Sequence, residues 1–171
     1  MTEDAAPLPQ GHPELLLTAT AQQLLNSQIP ARMAFVGLDG TPRVIPTWFH
    51  WNGDEIVMVT FVSAPHVRHP AARIAALRAN PAVALTIDTE SFPPHILTIR
   101  GTAVIDEIEG IAAEYRAAAQ RYLGHDAGAA MVDSIDVPGT RQARITLTPK
   151  WVGLIDFDTR PPSVFGGVAT R

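Results

Sequence analysis

The sequence predicts a mainly β fold, a barrel of six to seven antiparallel strands with helices inserted between them. Short runs of β-branched and aromatic residues recur along the chain, and such residues favour strands. Asp39-Gly40 and Asn52-Gly53 separate successive runs, and these dipeptides are strong signals for hairpin turns. Only 18% of the residues are charged, so few charged side chains are available to prevent exposed sheet edges from pairing with other chains. Closure of the sheet into a barrel removes such edges, and a barrel is therefore favoured.

The first half of the chain is predicted to contain a helix and a meander. A spaced set of leucines predicts an amphipathic helix over residues 13–28. Strands follow at 32–38, 43–51 and 55–61, and the two turns join them into a three-stranded antiparallel meander. A turn of small residues at 63–65 then ends the third strand.

The second half begins with a helix over residues 70–79, because Pro70 favours a first helical turn and Asn80-Pro81 ends the helix. The remaining elements are predicted from their periodicity and flanking turns. They are strands at 82–88, 95–105, 142–148 and 151–156, a helix at 107–123 and a weaker helix at 127–134.

At 171 residues the chain has the length of one domain that can bury a substantial core. We expect an N-terminal tail and helix at 1–29, a barrel domain at 30–160 and a C-terminal tail at 161–171. The acidic N-terminus, with no long apolar segment after it, predicts neither a signal peptide nor a membrane span. A cytoplasmic protein is therefore the expectation.

Composition excludes several classes of function. The net charge of −4 argues against non-specific nucleic-acid binding, which needs clustered positive charge. The chain has no cysteine, which excludes disulfides, thiolate metal sites and cysteine nucleophiles. Lys150 is the only lysine, and the sequence therefore argues against Schiff-base chemistry and against a lysine-containing phosphate loop.

The stretch 56–87 contains basic residues but no Asp or Glu, against the acidic balance of the whole chain. Arg68 and Arg73 lie at the junction between a predicted strand and the N-terminus of the next predicted helix, whereas Arg78 lies on another face of that helix. The N–H groups and dipole of a helix N-terminus favour an anion, and arginine supplies forked donors. We predict a site for a phosphorylated small molecule. The alternative is a solvated helix face with three surface arginines.

Three segments carry motifs in a characteristic order and spacing. Residues 34–49 combine an apolar strand, Asp-Gly, a polar-Pro step and a second strand that ends in Trp-Phe. Residues 73–85 place a basic residue eight positions before a proline that begins a strand. Together with Arg100-Gly101-Thr102-Ala103, these segments resemble the pyridoxamine 5′-phosphate oxidase-like superfamily, in its short reductase-like branch, over roughly residues 30–157.

The resemblance implies an FMN-binding split barrel and a homodimer with two cofactor sites at the subunit interface. Members oxidise pyridoxamine phosphate or reduce small unsaturated or quinone-like molecules, and others have no known substrate. This chain lacks the Arg-x-Val-Leu-Leu-Lys motif and the Trp-x-x-x-Arg-Leu-His-type ending of the true oxidases. Synthesis of pyridoxal phosphate is therefore not expected.

The same resemblance implies which residues bind the cofactor. Arg73 matches the basic position that binds its phosphate, and Arg68 is a second clamp. Thr60, Phe61 and Ser63 match positions that offer hydroxyl and backbone donors to the ribityl-phosphate arm. The alternative for Thr60 and Phe61 is a place in a core strand, and for Ser63 a turn or a helix cap.

Pro46, Thr47 and Trp48 match the strand that lies along the flavin ring in the family. A flat, largely apolar ring needs a packed wall, although ordinary core packing is the alternative for the aromatic residues. In the family, the late strands of one subunit help to close the site of the other, and Trp151 is the candidate for that role.

No side chain stands out as a catalytic acid or base, which agrees with redox chemistry carried by a cofactor. We therefore expect an FMN-dependent oxidoreductase that acts on an unknown small molecule. The first alternative is a reductase that uses the deazaflavin coenzyme F-420, whose polyglutamate tail needs a longer basic groove. The second is a non-catalytic flavin- or haem-binding module. We expect no metal site, because His66 and His69 have no further ligands nearby in the sequence.

Overall fold

A computed structural model describes residues 8–69 and 71–165, and one seven-stranded antiparallel sheet forms the framework of these residues. The strands are β1 (Ala31–Val36), β2 (Pro42–Thr47), β3 (His50–Trp51), β4 (Ile56–Ser63), β5 (Ala82–Asp88), β6 (Ile96–Glu109) and β7 (Arg141–Ile155). The helices are α1 (Ala19–Leu25), α2 (Ala72–Ala79), α3 (Ala113–Leu123) and α4 (His125–Ile135), with 3₁₀ turns at Pro13–Leu17 and Ser163–Phe165.

The strand order β2-β1-β5-β6-β7-β4-β3 places β2 and β3 at opposite edges of the sheet. In the sequence, however, only Trp48 and Phe49 separate these two strands. Because the three Cα–Cα steps from Thr47 to His50 span at most about 11 Å, the two edges must lie close together, and the sheet curves round into a barrel. This geometry confirms the predicted mainly β barrel with inserted helices.

The strand predicted at 43–51 is interrupted. Its first part pairs with β1, and its second part, at His50 and Trp51, pairs with β4. The predicted single strand was therefore wrong at Trp48 and Phe49, where the chain passes from one edge of the barrel to the other. Phe49 is fully buried at this crossing, and burial of its ring stabilises the break.

The two strands predicted at 142–148 and 151–156 are one strand, β7, and this prediction was also wrong. Arg100 of β6 pairs with Trp151, whereas Gly101 pairs with Pro149, so the ladder skips one residue of β7. A Cβ atom on Gly101 would overlap the carbonyl oxygen of Thr148, so only glycine fits at this irregularity. The ladder therefore continues through Pro149 by means of a bulge rather than a chain reversal.

The helix predicted at 107–123 begins only at Ala113, because β6 continues to Glu109. Arg141 explains the extra strand residues, since it forms ion pairs with Glu107 (3.0 Å) and Glu109 (2.9 Å) across the β6–β7 ladder. Glu107 and Glu109 also fit the surface of a helix, and the prediction therefore assigned them to the helix instead of to β6. Sequence periodicity could not show that their partners lie on a strand more than 30 residues away.

Three other helix boundaries differ from the predictions. The segment 13–28 divides at Thr18, whose side chain accepts a hydrogen bond from Ala21 N and caps α1. The helix predicted at 70–79 is α2, and Pro70, its predicted first residue, lies outside the described residues. The helix predicted at 127–134 is α4, which begins two residues earlier and ends one residue later.

The core lies inside the barrel and beneath α1. Alternate residues of β1 point inward, as expected for a strand with one buried face. Leu24 and Leu25 of α1 pack on the same cluster. Fully buried core side chains include Met33, Phe49, Ile56, Leu85, Leu97 and Leu147.

The second half of β7 has a free edge that the N-terminal segment covers. Gly11 N donates to Val152 O at 2.7 Å. The side-chain amide of Gln10 donates to Leu154 O and accepts from Leu154 N, in place of a neighbouring strand. Residues 8–12 are therefore fixed on the barrel, where they satisfy backbone groups of β7.

Candidate functional site

A cavity of about 340 Å³ lies where the end of β2, the end of β4, the start of α2 and the start of α3 meet. Its lining combines aromatic rings with hydroxyl groups and one guanidinium. The lining residues are Pro46, Thr47, Trp48, Val59, Thr60, Phe61, Arg73 and Tyr115. Six of them are predicted cofactor-binding residues, and β2, β4 and α2 bring these six together.

Aromatic rings form one end of this cavity. Trp48 stacks on Tyr122 of α3, with ring centroids 5.0 Å apart and planes inclined by 9°. Tyr115 lies 6.4 Å from Trp48 and 5.6 Å from Phe61, which it meets edge to face. Such aromatic contacts give a rigid wall suited to a flat ring.

Arg73 supplies the cationic part of the lining. It is the second residue of α2, whose N-cap residue Ala71 makes no side-chain capping bond. Its guanidinium is half-buried, and its Nε atom is buried without a hydrogen-bond partner among the described residues. Burial lowers the pKa of Arg73, but an arginine remains charged at neutral pH. A cation that forms no ion pair within the described chain fits an anionic ligand.

Two threonines add hydroxyl groups to the lining. Thr60 is buried in β4, and its hydroxyl makes no hydrogen bond to any residue that the structure describes. Thr47 is also buried, and its hydroxyl donates to the carbonyl of Trp48 at 3.1 Å. The hydroxyl of Thr60 therefore remains available for a ligand, whereas that of Thr47 already has an acceptor.

Ser63 and Arg68 are exposed and lie outside the lining of the cavity. Ser63 ends β4 after an irregularity in its pairing with β7. Arg68 lies in the segment between β4 and α2 and forms no ion pair within the described chain. Their roles in phosphate binding stay predictions.

Trp151 lies far from this cavity in the same chain. Thr60 pairs with Ala143 of β7, and Trp151 follows eight residues later, up to roughly 26 Å along the strand at 3.3 Å per residue. There Trp151 lines a separate cavity of about 360 Å³ and carries the guanidinium of Arg100 at 3.9 Å from its ring centroid. A contribution of Trp151 to the cavity of a second chain stays a prediction.

Tyr115 and Tyr122 were missed in the sequence. Both lie on α3, within the helix predicted at 107–123, and a spacing of seven residues places them on one helix face. That spacing was the available signal. It did not show that this face would meet β3 and β4, since α3 is inserted between β6 and β7.

Arg121 fixes α3 against the break between β2 and β3. Its guanidinium donates to Leu25 O (2.6 Å) and Ser27 O (2.7 Å), and also to Phe49 O. It also lies 4.3 Å from the Phe49 ring centroid. Because three backbone carbonyls and an aromatic ring hold this side chain, α3 and the Trp48–Phe49 segment are positioned together.

A second cavity, of about 500 Å³, adjoins the other side of Arg73. Its walls are mostly apolar and come from the β1–β2 hairpin and α2. At its rim Arg43 pairs with Asp39 at 2.7 Å and lowers the pKa of Asp39 to about 2. Because Arg43 pairs with Asp39, Arg73 is the guanidinium of this cavity that forms no ion pair with the described residues.

The histidines of the basic segment form no metal site in the described chain. His66 contacts the ring of Phe61, with centroids 5.0 Å apart, and is exposed. No group of three or more His, Asp or Glu side chains placed to hold a metal occurs among residues 8–69 and 71–165. In the same residues, no helix has the length and apolar character needed to cross a membrane.

The curved seven-stranded sheet, with its cavity between β2, β4 and two helices, defines a split-barrel protein. The sequence profile of the family described as pyridoxamine 5′-phosphate oxidase matches residues 17–155. Because this match covers most of the chain, the chain belongs to the pyridoxamine 5′-phosphate oxidase family.

Solved structures share this fold. An F420 reductase is 25% identical, with a TM-score of 0.56 over 77% of this chain and 94% of that one. The conserved hypothetical protein Rv2991 from Mycobacterium tuberculosis is 18% identical, with a TM-score of 0.63 over 88% of both chains. General Stress Protein 26 from Bacillus anthracis is 14% identical, with a TM-score of 0.56 over 82% of this chain and 95% of that one. At these two lower identities the likeness concerns the fold alone. No curated protein sequence matches the chain.

Proposed function

We propose that this protein is an FMN-dependent oxidoreductase whose coenzyme occupies the Arg73 cavity. One observation carries the proposal: the buried Nε of Arg73 lacks a partner in the described chain, and Arg73 lines an aromatic-walled cavity. A buried cationic donor without a partner is costly, so its presence favours an anionic ligand at this position.

The chemistry of the lining fits each part of FMN. The phosphate needs charged donors, which Arg73 and the N-terminus of α2 supply. The ring needs a flat wall, which Trp48 supplies because Tyr122 supports it. A cavity of about 340 Å³ also falls within the usual range for small-molecule sites.

When bound, FMN supplies hydride transfer, and the chain supplies binding and orientation. Arg73 would hold the phosphate through its charged donors. Trp48 and Phe61 would provide an apolar wall for the ring. The hydroxyl of Thr60 would be available as a hydrogen-bond donor to the coenzyme. Among the described residues, no carboxylate or imidazole lies in the lining, which agrees with chemistry carried by the coenzyme.

We further propose a homodimer in which Trp151 of one chain closes the cavity of the other. The place of Trp151, far along β7 from its own chain's cavity, supports this arrangement. Analytical ultracentrifugation tests it: a stable monomer at micromolar concentration would contradict the dimer and the role of Trp151.

The deazaflavin coenzyme F-420 is the second candidate, and two observations favour it. The chain is 25% identical to a structure named F420 reductase. The exposed residues Arg68 and His69 carry no ion pair within the described chain, so they could receive an acidic tail beyond the phosphate. Against this candidate, the second cavity beside Arg73 is apolar and carries Asp39 at its rim.

The visible spectrum of freshly purified protein distinguishes the candidates, because flavin, deazaflavin and haem absorb in clearly different bands. Titration of coenzyme-free protein with FMN and with F-420 then measures both affinities. We expect tighter binding of FMN, followed by turnover of a quinone or a dye in the presence of an electron donor. Saturable binding without turnover under any donor would favour a non-catalytic module. The absence of saturable binding by either coenzyme would overturn the proposal.

A further inference from the structure

Arg100 of β6 is a cation without an anion in its own chain. Other arginines pair with carboxylates, and Arg121 and Arg160 donate to backbone carbonyls. The guanidinium of Arg100 forms neither an ion pair nor a hydrogen bond with residues 8–69 and 71–165. It is exposed and lies over the ring of Trp151, 3.9 Å from the centroid.

Trp151 holds this cation in a defined place. The indole lies over Gly153, where a Cβ atom would come within 2.6 Å of the ring, and a Cβ atom on Gly11 would come within 2.8 Å of the indole nitrogen. A guanidinium over an aromatic face keeps its N–H donors for another partner. Lys150, which donates to Thr102 at 2.8 Å and forms no ion pair within the described chain, adds positive charge beside it.

One face of the sheet carries both this cation and the Arg73 cavity. Directly opposed residues of antiparallel strands point to the same face. The strand pairs give a continuous row, which consists of Pro46, Arg32, Thr86, Thr98 and Gly153. Pro46 lines the Arg73 cavity, whereas Gly153 lies beneath Trp151. At about 4.8 Å per strand, the four steps of this row span roughly 19 Å along the sheet.

This face is directed away from the core, because the alternate residues of the same strands, such as Met33 and Leu85, fill the barrel. Beside the row, Ala34 pairs with Ala84, and both are half-buried. Val44, which pairs with Ala34, is 67% exposed. An exposed face of mainly small and apolar residues is typical of a protein–protein interface.

The Arg73 cavity lacks a second cation within its own chain. A phosphate monoester carries a charge of about −1.5 to −2 at pH 7. Arg73 is the only charged side chain in the lining among the described residues, and Arg68 lies outside the lining. A phosphate held by one guanidinium therefore keeps part of its charge for a further charge-assisted donor.

The two ends of this face complement each other, since one end carries the cavity and the other carries Arg100. A two-fold dimer uses the same patch on both subunits. If the axis passes through the middle of the row, each end of the row meets the opposite end in the partner. Trp151 and Arg100 of one chain then meet the Arg73 cavity of the other.

We propose that Arg100 of a second copy of this chain donates to the coenzyme phosphate in the Arg73 cavity. Each site then takes one arginine from each subunit. This inference rests on the proposed coenzyme site and dimer, and it adds to them a phosphate-binding residue that acts across the interface.

Mixed dimers test whether Arg100 acts across the interface. Co-expression of two differently tagged chains, followed by two affinity steps, isolates such dimers. A dimer of one Arg73→Ala chain and one Arg100→Ala chain should keep one intact site, because both substitutions fall in the other site. Fluorescence titration with FMN should therefore show one site per dimer with wild-type affinity.

The matched control places both substitutions in one chain and pairs that chain with a wild-type chain. Each site then lacks one arginine, so we expect no site of wild-type affinity and a loss of about tenfold or more at both sites. One wild-type site in both kinds of dimer would show that Arg100 has no role. One wild-type site in the control alone would show that Arg100 acts within its own chain. Either result overturns the assignment, as does a stable monomer.

Riboflavin is the second probe, because it has the ring of FMN without the phosphate. The Arg100→Ala protein should bind FMN about tenfold more weakly than wild type and should bind riboflavin as wild type does. Equal losses for both probes would overturn the phosphate contact. A wild type that binds neither FMN nor F-420 would overturn the proposed coenzyme site as well, whereas unchanged FMN binding by Arg100→Ala would overturn the role of Arg100 alone.

Discussion

Trp48 and Tyr122 stack with ring centroids 5.0 Å apart and planes inclined by 9°. Trp48 belongs to the break between β2 and β3, and Tyr122 belongs to the helix inserted between β6 and β7. One contact therefore joins the point of barrel closure to the inserted helix. Because Tyr122 covers one face of the indole and the cavity lies against Trp48, the orientation of this wall depends on α3.

Substitution of Arg73 tests the phosphate site. Arg73→Ala should weaken FMN binding about tenfold to a hundredfold, because a charge-assisted hydrogen bond contributes roughly 1.5–3 kcal/mol. Arg73→Lys should recover part of this loss, since the charge survives while the forked geometry does not. Fluorescence titration with FMN measures each affinity.

Arg78→Ala is the matched control, because Arg78 lies on the same helix but is exposed and paired with Glu107. It should bind FMN nearly as tightly as wild type. If Arg73→Ala binds both FMN and F-420 as tightly as wild type, the basic segment is only a solvated helix face.

A double-mutant cycle tests the contact between Trp48 and Tyr122. We expect the single changes Trp48→Leu and Tyr122→Leu to couple by about 0.5–1.5 kcal/mol in the free energy of unfolding, the usual range for aromatic pairs. Urea denaturation measures all four proteins. The cycle of Trp48 with Trp151 is the control and should show no coupling, because these residues line different cavities. Equal coupling in both cycles would refute a specific stack.

Gln10→Ala tests whether the N-terminal segment covers the free edge of β7. The change removes both bonds from the Gln10 side chain to Leu154, and we expect a loss of roughly 1–2 kcal/mol in the free energy of unfolding. The amide of Leu154 should also exchange faster with deuterium. Gln23→Ala is the control, because Gln23 is exposed on α1, and it should leave both quantities nearly unchanged. Equal exchange at Leu154 in all three proteins would contradict the edge contact.

The pair formed by Asp39 and Arg43 predicts a pH dependence at the β1–β2 turn. Arg43 and Thr41 lower the pKa of Asp39 from 3.8 to about 2. A depressed carboxyl pKa stabilises the fold above the unfolded value, and this contribution is lost as the pH falls from about 3.8 towards 2. NMR titration of the Asp39 carboxyl carbon should give a midpoint near 2 in wild type and a clearly higher one in Arg43→Ala. The same midpoint in both proteins would show that the ion pair does not form in solution.

Local sequence determined most of the elements of this barrel. Turn dipeptides, β-branched runs and the Pro-bounded helix are short-range signals, and they located β1, β4, β5 and α2 within a few residues. Family motifs added six predicted cofactor-binding residues, and these six line one cavity. Such motifs indicate the site because residues of β2, β4 and α2 line the same cavity and each element carries its own recognisable pattern.

Tertiary structure decided what depends on distant partners. β6 extends to Glu109 because Arg141, more than 30 residues away, pairs with its acidic residues. β7 passes through Pro149 because Gly101 of the neighbouring strand leaves room for a bulge. Tyr115 lines the cavity because the inserted α3 packs on β3 and β4. Trp151 lies outside the cavity because it is eight residues further along β7 than Ala143, the partner of Thr60. Periodicity along a chain reports which face of an element is buried, but only packing selects what that face meets.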